Sequence, residues 1–254
     1  MIGRRAVLSI VAGAATWPWA DHAWASVPRI GFLRSTPAAP FAHLAAAFRD
    51  GLHEAGFDEG RNVTIEYRYA DNQPKRLPAL AAELVADGVS VIVGNSLAVE
   101  AAKAVTATIP IVFVTSDDPV KRGLVQSLGR PGGTLTGVTF FGGGQLGAKR
   151  FDLLHELVPG DKPVAFLMDS TWPAAAEELP EVEAAARALG RGLVVHRAAT
   201  RSEIDAAFHR MSAAGVASVL VSGAPFFTSE RRGIVALAAS LRLPAIYDVR
   251  DFVD

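Results

Sequence analysis

The chain of 254 residues contains no cysteine. That excludes disulfides, thiolate metal sites and a cysteine nucleophile, and with them the lipidated cysteine that tethers many exported proteins. A membrane-spanning run is missing near the N-terminus: the apolar stretch Ala6 to Ala15 is about ten residues, where a transmembrane helix needs roughly 18 or more. No sign of charge dominates, with 25 basic against 26 acidic residues, so a nucleic-acid footprint is not expected. Metal-ligand spacing is also lacking. His43, His53, His155, His196 and His209 form neither His-x-x-x-His nor His-Glu-x-x-His, and Asp117-Asp118 alone do not make a calcium loop. No metal or cofactor is expected. What is present is globular material: half the residues are apolar and 20% are charged. The length accommodates one large domain or two small ones.

The N-terminus reads as an export signal. Arg4 and Arg5 precede the apolar run, and Ala23-Trp24-Ala25 is a small-x-small cleavage site that leaves Ser26 as the first mature residue. The paired arginines point to the twin-arginine route, with Gly3 departing from the Ser or Thr usual before the pair. Cleavage removes Arg4, Arg5 and Asp21 and leaves a net charge of −2. A periplasmic location is expected.

After Ser26, strands and helices alternate. Strands are expected at 29–33, 63–69, 89–93, 109–115, 134–141, 163–168, 193–196, 218–221 and 244–247. Helices are expected at 41–56, 75–87, 96–108, 145–158, 174–189, from Ser202, and at 229–242. Phe41, Leu44, Phe48 and Leu52 share one helical stripe. Leu77, Leu80 and Leu84 share another, as do Leu179, Val182, Ala186 and Leu189, and Ile204, Phe208 and Met211. Ser202-x-x-Asp205 is a near-relative of the capping box. Apolar strands alternating with helices imply parallel sheets. Two such runs meet at the glycines 142–144. The expected architecture is therefore α/β: two Rossmann-like lobes, 26–139 and 140–254, joined by a hinge, the second with fewer strands and an abrupt end. One open sheet of about nine strands is the alternative.

Three patterns bear on chemistry. Gly94-Asn95-Ser96-Leu97-Ala98, between strand and helix, partly matches the nucleophile elbow of a serine hydrolase. His155, His196 or His209 would have to serve Ser96, and none has an evident orienting carboxylate. The milder reading makes Ser96 a helix cap beside an anionic ligand group. Gly142-Gly143-Gly144-Gln145-Leu146-Gly147 satisfies the dinucleotide fingerprint of an oxidoreductase, with Asp169 beyond it, but the same glycines suit a hinge. The third pattern is the collection of polar and aromatic residues at the carboxyl ends of the strands, where open parallel sheets bind ligands. They are Ser35 and Thr36, Asn95 and Ser96, Thr115, Ser116 and Asp117, then Asp169, Ser170 and Trp172, Ser222 and Phe226, and Tyr247 and Asp248. Facing lobes would bring these loops to one cleft, with Trp172, Phe226 or Phe141 covering an apolar part of the solute.

A resemblance narrows the choice. It is carried by Arg29-Ile30-Gly31-Phe32-Leu33, Phe48-Arg49-Asp50-Gly51-Leu52, Ala101-Ala102-Lys103 through Thr108-Ile109-Pro110-Ile111-Val112-Phe113, and Asp118-Pro119-Val120. Gly123-Leu124-Val125 through Arg130-Pro131-Gly132-Gly133, Gly137-Val138-Thr139 and Leu243-Pro244-Ala245-Ile246-Tyr247 extend it. With these segments the chain resembles the ABC-transporter substrate-binding proteins related to tryptophan- and tyrosine-binding receptors, of the type I periplasmic-binding-protein fold. The resemblance implies a monomeric receptor, not an enzyme, that closes on a small solute and docks on a membrane permease with a cytoplasmic ATPase. It carries a ligand-facing role onto Ser35, Asn95, Ser96, Thr115 and Asp169. Met168-Asp169-Ser170-Thr171-Trp172-Pro173 departs from the loop of the amino-acid-binding members, and family members continue past this C-terminus, so the second lobe is expected to be truncated. A ligand sensor on the same fold is a further reading.

Overall fold

A computed structural model describes residues 27–140 and 146–253. The expected signal segment 1–25 with Ser26, the candidate Phe141, the glycines 142–144 with Gln145, and Asp254 lie outside the described residues.

Among the described residues nine strands alternate with helices. They are β1 (Arg29–Arg34), α1 (Ala42–Glu54), β2 (Thr64–Tyr69), α2 (Leu77–Ala86), β3 (Val91–Asn95), α3 (Ser96–Val105), β4 (Ile111–Thr115), β5 (Leu135–Thr139), α4 (Leu146–Leu157), β6 (Val164–Asp169), α5 (Pro173–Ala188), β7 (Leu193–Ala198), α6 (Arg201–Ala213), β8 (Ser218–Val221), α7 (Pro225–Ser229), α8 (Arg231–Ser240) and β9 (Ala245–Ile246). They form two sheets, ordered β2-β1-β3-β4-β5 and β7-β6-β8-β9. Every pairing is parallel, so the single nine-stranded sheet is not formed.

The first sheet is covered on both faces, and the period-2 geometry of its strands sorts the side chains. In β1, Ile30 and Phe32 join Ala45 of α1, while Leu33 joins Leu80 and Leu84 of α2. In β3, Val93 faces the first group and Ile92 the second. The second sheet is more deeply enclosed: all six residues of β6 are buried. This is why β6 reads as a continuous apolar run. Phe151, Phe166, Phe208 and Phe227 fill its core. At the outer edge of the first sheet, β5 pairs Gly137 with Phe113. A Cβ on Gly137 would stand 2.1 Å from the Phe113 carbonyl oxygen, so only glycine lets the two strands approach at that point.

Local readings are corrected in five places. Leu44 is exposed, because α1 turns its buried stripe through Ala45 and Phe48. Leu189 lies past the end of α5 and is exposed. Ser96 is the first residue of α3, not its cap; the N-cap is Asn95, whose side chain is used elsewhere. The capping box of α6 is Thr200 with Glu203, two residues upstream of Ser202 and Asp205, so the bend that follows β7 supplies the cap. The expected helix over 229–242 is α8, which starts at Arg231 and ends at Ser240, and a short helix that was not expected, α7, precedes it. Asp118 caps the Pro119 turn, accepting from the Val120 and Lys121 amides at 2.9 and 3.2 Å. Among the described residues no helix is long and apolar enough to cross a membrane.

Candidate functional site

The carboxyl ends of the two sheets face one another across a cleft. Two adjoining cavities occupy it. One, of about 230 Å³, is lined from the first sheet by Asn95, Ser96, Thr115 and Ser116 and from the second by Gly223, Pro225, Thr228 and Asp248. The other, about 100 Å³, lies between Asp117 and Asp118 on one side and Arg150, Trp172, Glu178 and Asp248 on the other. Ser116, Gly223 and Asp248 line both cavities. Gly223 has a steric reason: a Cβ there would meet Asp248 Oδ2 at 2.9 Å. Polar contacts cross the cleft. Asn72 Nδ2 donates to Ser229 Oγ at 2.9 Å, and His43 Nε2 stands 3.3 Å from Asp251 Oδ2.

The first wall is knit by its own hydroxyls and amides. The Ser35 amide donates to Asn95 Oδ1 at 3.0 Å, and Asn95 Nδ2 donates to Ser35 Oγ at 2.7 Å. This two-bond clasp ties the ends of β1 and β3. Ser96 Oγ and Thr115 Oγ1 share a hydrogen bond of 2.6 Å, and Thr115 Oγ1 also accepts from the Asp117 amide at 2.9 Å. The hydroxyl partner of Ser96 is thus Thr115 and not an imidazole. His155, His196 and His209 all sit on elements of the second sheet: His209 Nδ1 bonds to the Asp205 carbonyl, and His196 is buried in β7, where desolvation lowers its pKa.

Burial raises the pKa of Asp117, with a Ser96 hydrogen bond and the Arg122 charge opposing it. Burial likewise raises Asp169, whose Oδ1 accepts from the amide and hydroxyl of Thr171 at 2.8 and 2.7 Å. Asp169 therefore shapes its own turn and is not held out as a ribose acceptor. Trp172 is buried against the second core and lines the cleft. Phe226, with Ser35, Asp169 and Trp172, lines a third recess at the far end. Thr36 and Ser222 are almost fully buried, and their hydroxyls have no partner among the described residues. Tyr247 turns away from the cleft and stacks on Phe252 with ring centroids 4.3 Å apart.

The charged side chains of the cleft that are absent from the candidates read in the sequence include Arg150, Glu178 and Arg34. Arg150 belongs to the buried stripe of α4, between Gly147 and Phe151. Its Nη1 donates to the Val221 carbonyl at 2.8 Å and its Nη2 pairs with Glu178 Oε1. Glu178, on α5, has its pKa raised by burial, opposed by Arg150 and reinforced by Asp248. The legible signal was a charge on an apolar helical stripe. Arg34, the last residue of β1, lines the larger cavity with its guanidinium carbon 5.2 Å from the Phe41 ring centroid. Burial lowers its pKa, and no carboxylate pairs with it among the described residues. Asp248, noted only as a strand-end residue, is the most perturbed acid: burial pushes it up to about 6. The cleft can thus grip an anionic group at Arg34, and it holds a surplus of carboxylates at the other end. Among the described residues no group of three or more His, Asp or Glu side chains is placed to hold a metal ion.

Comparison with known proteins agrees with this geometry. A family model described as ABC transporter substrate binding protein matches residues 41–254. A curated tyrosine-binding protein of Clostridioides difficile is 29% identical over 125 residues, which make up 49% of this chain and 35% of that relative. The match therefore spans about a third of the relative's length. Among solved structures, a conserved domain protein of Vibrio cholerae superposes with a TM-score of 0.79 at 21% identity, over 90% of this chain and 76% of that one. The ABC domain of Streptococcus pneumoniae in complex with L-Trp gives 0.77 at 22% identity over the same shares, 90% and 76%. A solute-binding protein of Rhodopseudomonas palustris in complex with 3,4-dihydroxybenzoic acid gives 0.60 at 18% identity, covering 84% and 58%. At these identities the structures share the fold.

Proposed function

This chain belongs to the ABC transporter substrate-binding protein family, and on that premise we propose that it is the exported receptor of an ABC import system, binding a small solute in the cleft between its sheets. The observation that carries the reading is the placement of Asp248 and Gly223, from the second sheet, in the larger cavity with Asn95, Thr115 and Ser116 from the first. A solute seated there touches both lobes at once.

The mechanism is a closure equilibrium without chemistry. A solute that contacts both walls binds the closed arrangement better than the open one, and that difference drives the hinge. The lobes are taken as 26–139 and 140–254, joined by a hinge. Ser35, Thr36, Asn95, Ser96, Thr115, Ser116, Asp117, Asp169, Trp172, Ser222 and Phe226 supply hydroxyls, amides and aromatic surface to the cleft or to the shell behind it. An anionic group on the solute lies beside Arg34. The closed, monomeric receptor delivers its solute to a membrane permease with a cytoplasmic ATPase. Residues 1–25 direct export to the periplasm, with cleavage after Ala25, and the chain is not an enzyme.

The test is thermal melting and small-angle scattering of the mature chain against amino acids, aromatic acids, polyamines and nicotinamide cofactors. A ligand at about 100 times its Kd adds roughly 2.7 kcal/mol to stability. A melting shift with one solute class, together with a smaller radius of gyration, supports the receptor. A shift with a nicotinamide cofactor alone, or turnover of an ester, sinks it.

A further inference from the structure

We propose that the smaller cavity is a subsite for an organic cation, so that the solute carries an ammonium, guanidinium or amidinium group lodged between Asp117 and Asp248. The proposal rests on the receptor reading and goes beyond it by naming the ligand's charge.

The cavity is lopsided. Six carboxylates line it, those of Asp117, Asp118, Glu177, Glu178, Glu181 and Asp248, against two cations, Lys121 and Arg150. Arg150 is already engaged, by the Val221 carbonyl and by Glu178. Independent of charge, the lining holds polar atoms without partners. The Trp172 ring stands in the lining, and Asp117, 7% exposed, has no hydrogen-bond partner for its Oδ1 among the described residues. Glu178 Oε2 is in the same position. Buried carboxylate oxygens left without donors are costly. An ammonium brings three N–H donors and a guanidinium five, and the indole beside them offers the ring surface that cations favour.

The two walls give the cation a role in closure. Asp117 and Asp118 follow β4 of the first sheet, while Glu178 and Asp248 belong to the second. Bringing them together sets like charges against each other across a desolvated gap, where Coulomb energy is larger than in water. A cation between them reverses the sign. The solute's charge is then itself a source of preference for the closed state. Asp248 also lines the neighbouring cavity that contains Arg34, so one solute can present a cation to the first cavity and a carboxylate to the second.

Titration calorimetry at pH 7.5 and low salt tests this with 1,4-diaminobutane, lysine and arginine as cationic probes. Indole-3-acetate, 4-hydroxyphenylacetate and 3,4-dihydroxybenzoate, which carry no ammonium, are the contrast, and magnesium chloride is the metal control. The proteins are the mature chain, Asp117→Asn and Asp248→Asn. At least one cationic probe is expected to bind, with a loss of ten-fold or more in each variant. Ligand-free melting temperatures should be equal to or above that of the unsubstituted chain, since each variant removes a desolvated charge. A purely structural role for these carboxylates would instead lower the melting temperature. Silence of the cationic probes while indole-3-acetate, 4-hydroxyphenylacetate or dihydroxybenzoate binds overturns the subsite and leaves the receptor standing. Silence of every probe overturns the subsite and counts against the receptor too. Cationic binding unchanged in both variants, or magnesium binding that both variants abolish, also overturns it.

Discussion

Arg150 and Asp248 set the electrostatics of the second wall. Arg150 is buried and offsets two acids at once, Glu178 by direct pairing and Asp248 through space. Arg150→Met keeps the stem's volume but strands both carboxylates, and removing one partner of a buried pair costs about 3–5 kcal/mol. A fall of that size in urea-unfolding free energy is expected. Asp248 gives the opposite kind of signal. Its folded pKa of about 6 lies above its ordinary value of 3.8. The folded chain keeps a proton there that the unfolded chain releases, so ligand-free stability falls as pH rises from about 4 to about 6 and then levels. Arg150 opposes this shift, while Asp251 and Glu178 face Asp248 with like charge. At about 1.4 kcal/mol per pKa unit the effect is at most ~3 kcal/mol. Burial raises Asp117, Asp169 and Glu178 in the same direction. Melting curves across pH 4–7 should show the decline, and Asp248→Asn should flatten it.

The elements were the legible part of the sequence, and the reasons are visible in particular ones. β6 is buried at every position and reads as an unbroken apolar run; α6 carries Ile204, Phe208 and Met211 on one stripe and buries them all. Strand-end positions followed from sheet type alone, which is how Asn95, Ser96, Thr115 and Trp172 were found. Arg150 and Glu178 were missed because they belong to helix bodies, and only tertiary placement brings them to the cleft; Arg34 fell between the expected strand, which stopped at Leu33, and the candidates, which began at Ser35. Tyr247 shows the converse. It stands at a strand end, yet the 3-10 turn Arg250–Phe252 draws its ring onto Phe252. Local spacing cannot foresee a contact made by a later turn. Gly137 belongs to this scale as well. Since a Cβ there would collide with the Phe113 carbonyl, Gly137→Ala must push β5 off β4. A loss of several kcal/mol is expected, about the upper range for single substitutions, with amide exchange accelerating in β5 before it does in β1.

At the scale of the whole molecule, closure is balanced by few contacts. The Asn72–Ser229 hydrogen bond and the His43–Asp251 pair cross the cleft near its margins, and both are partly exposed. Contacts of this kind are worth about 0.5–1.5 kcal/mol each. Asn72→Ala should therefore weaken solute binding by about 2- to 10-fold and enlarge the ligand-free radius of gyration, with the unfolding free energy nearly unchanged. An equal loss of unfolding free energy would instead place Asn72 in the fold and not in the hinge equilibrium.

β5 ends the first sheet, and its outer side has no neighbouring strand among the described residues. Val138 on it is 61% exposed, beside Val114 at 41%. A bare strand margin with apolar side chains is a template for another chain. The same sheet geometry that opens a cleft at one end thus leaves a self-adhesive border along one side. Concentrated protein should form oligomers through that border, visible as a concentration-dependent rise in scattered light. Val138→Lys should abolish the rise while leaving solute affinity as it was, so solubility and recognition are set by separate parts of one sheet.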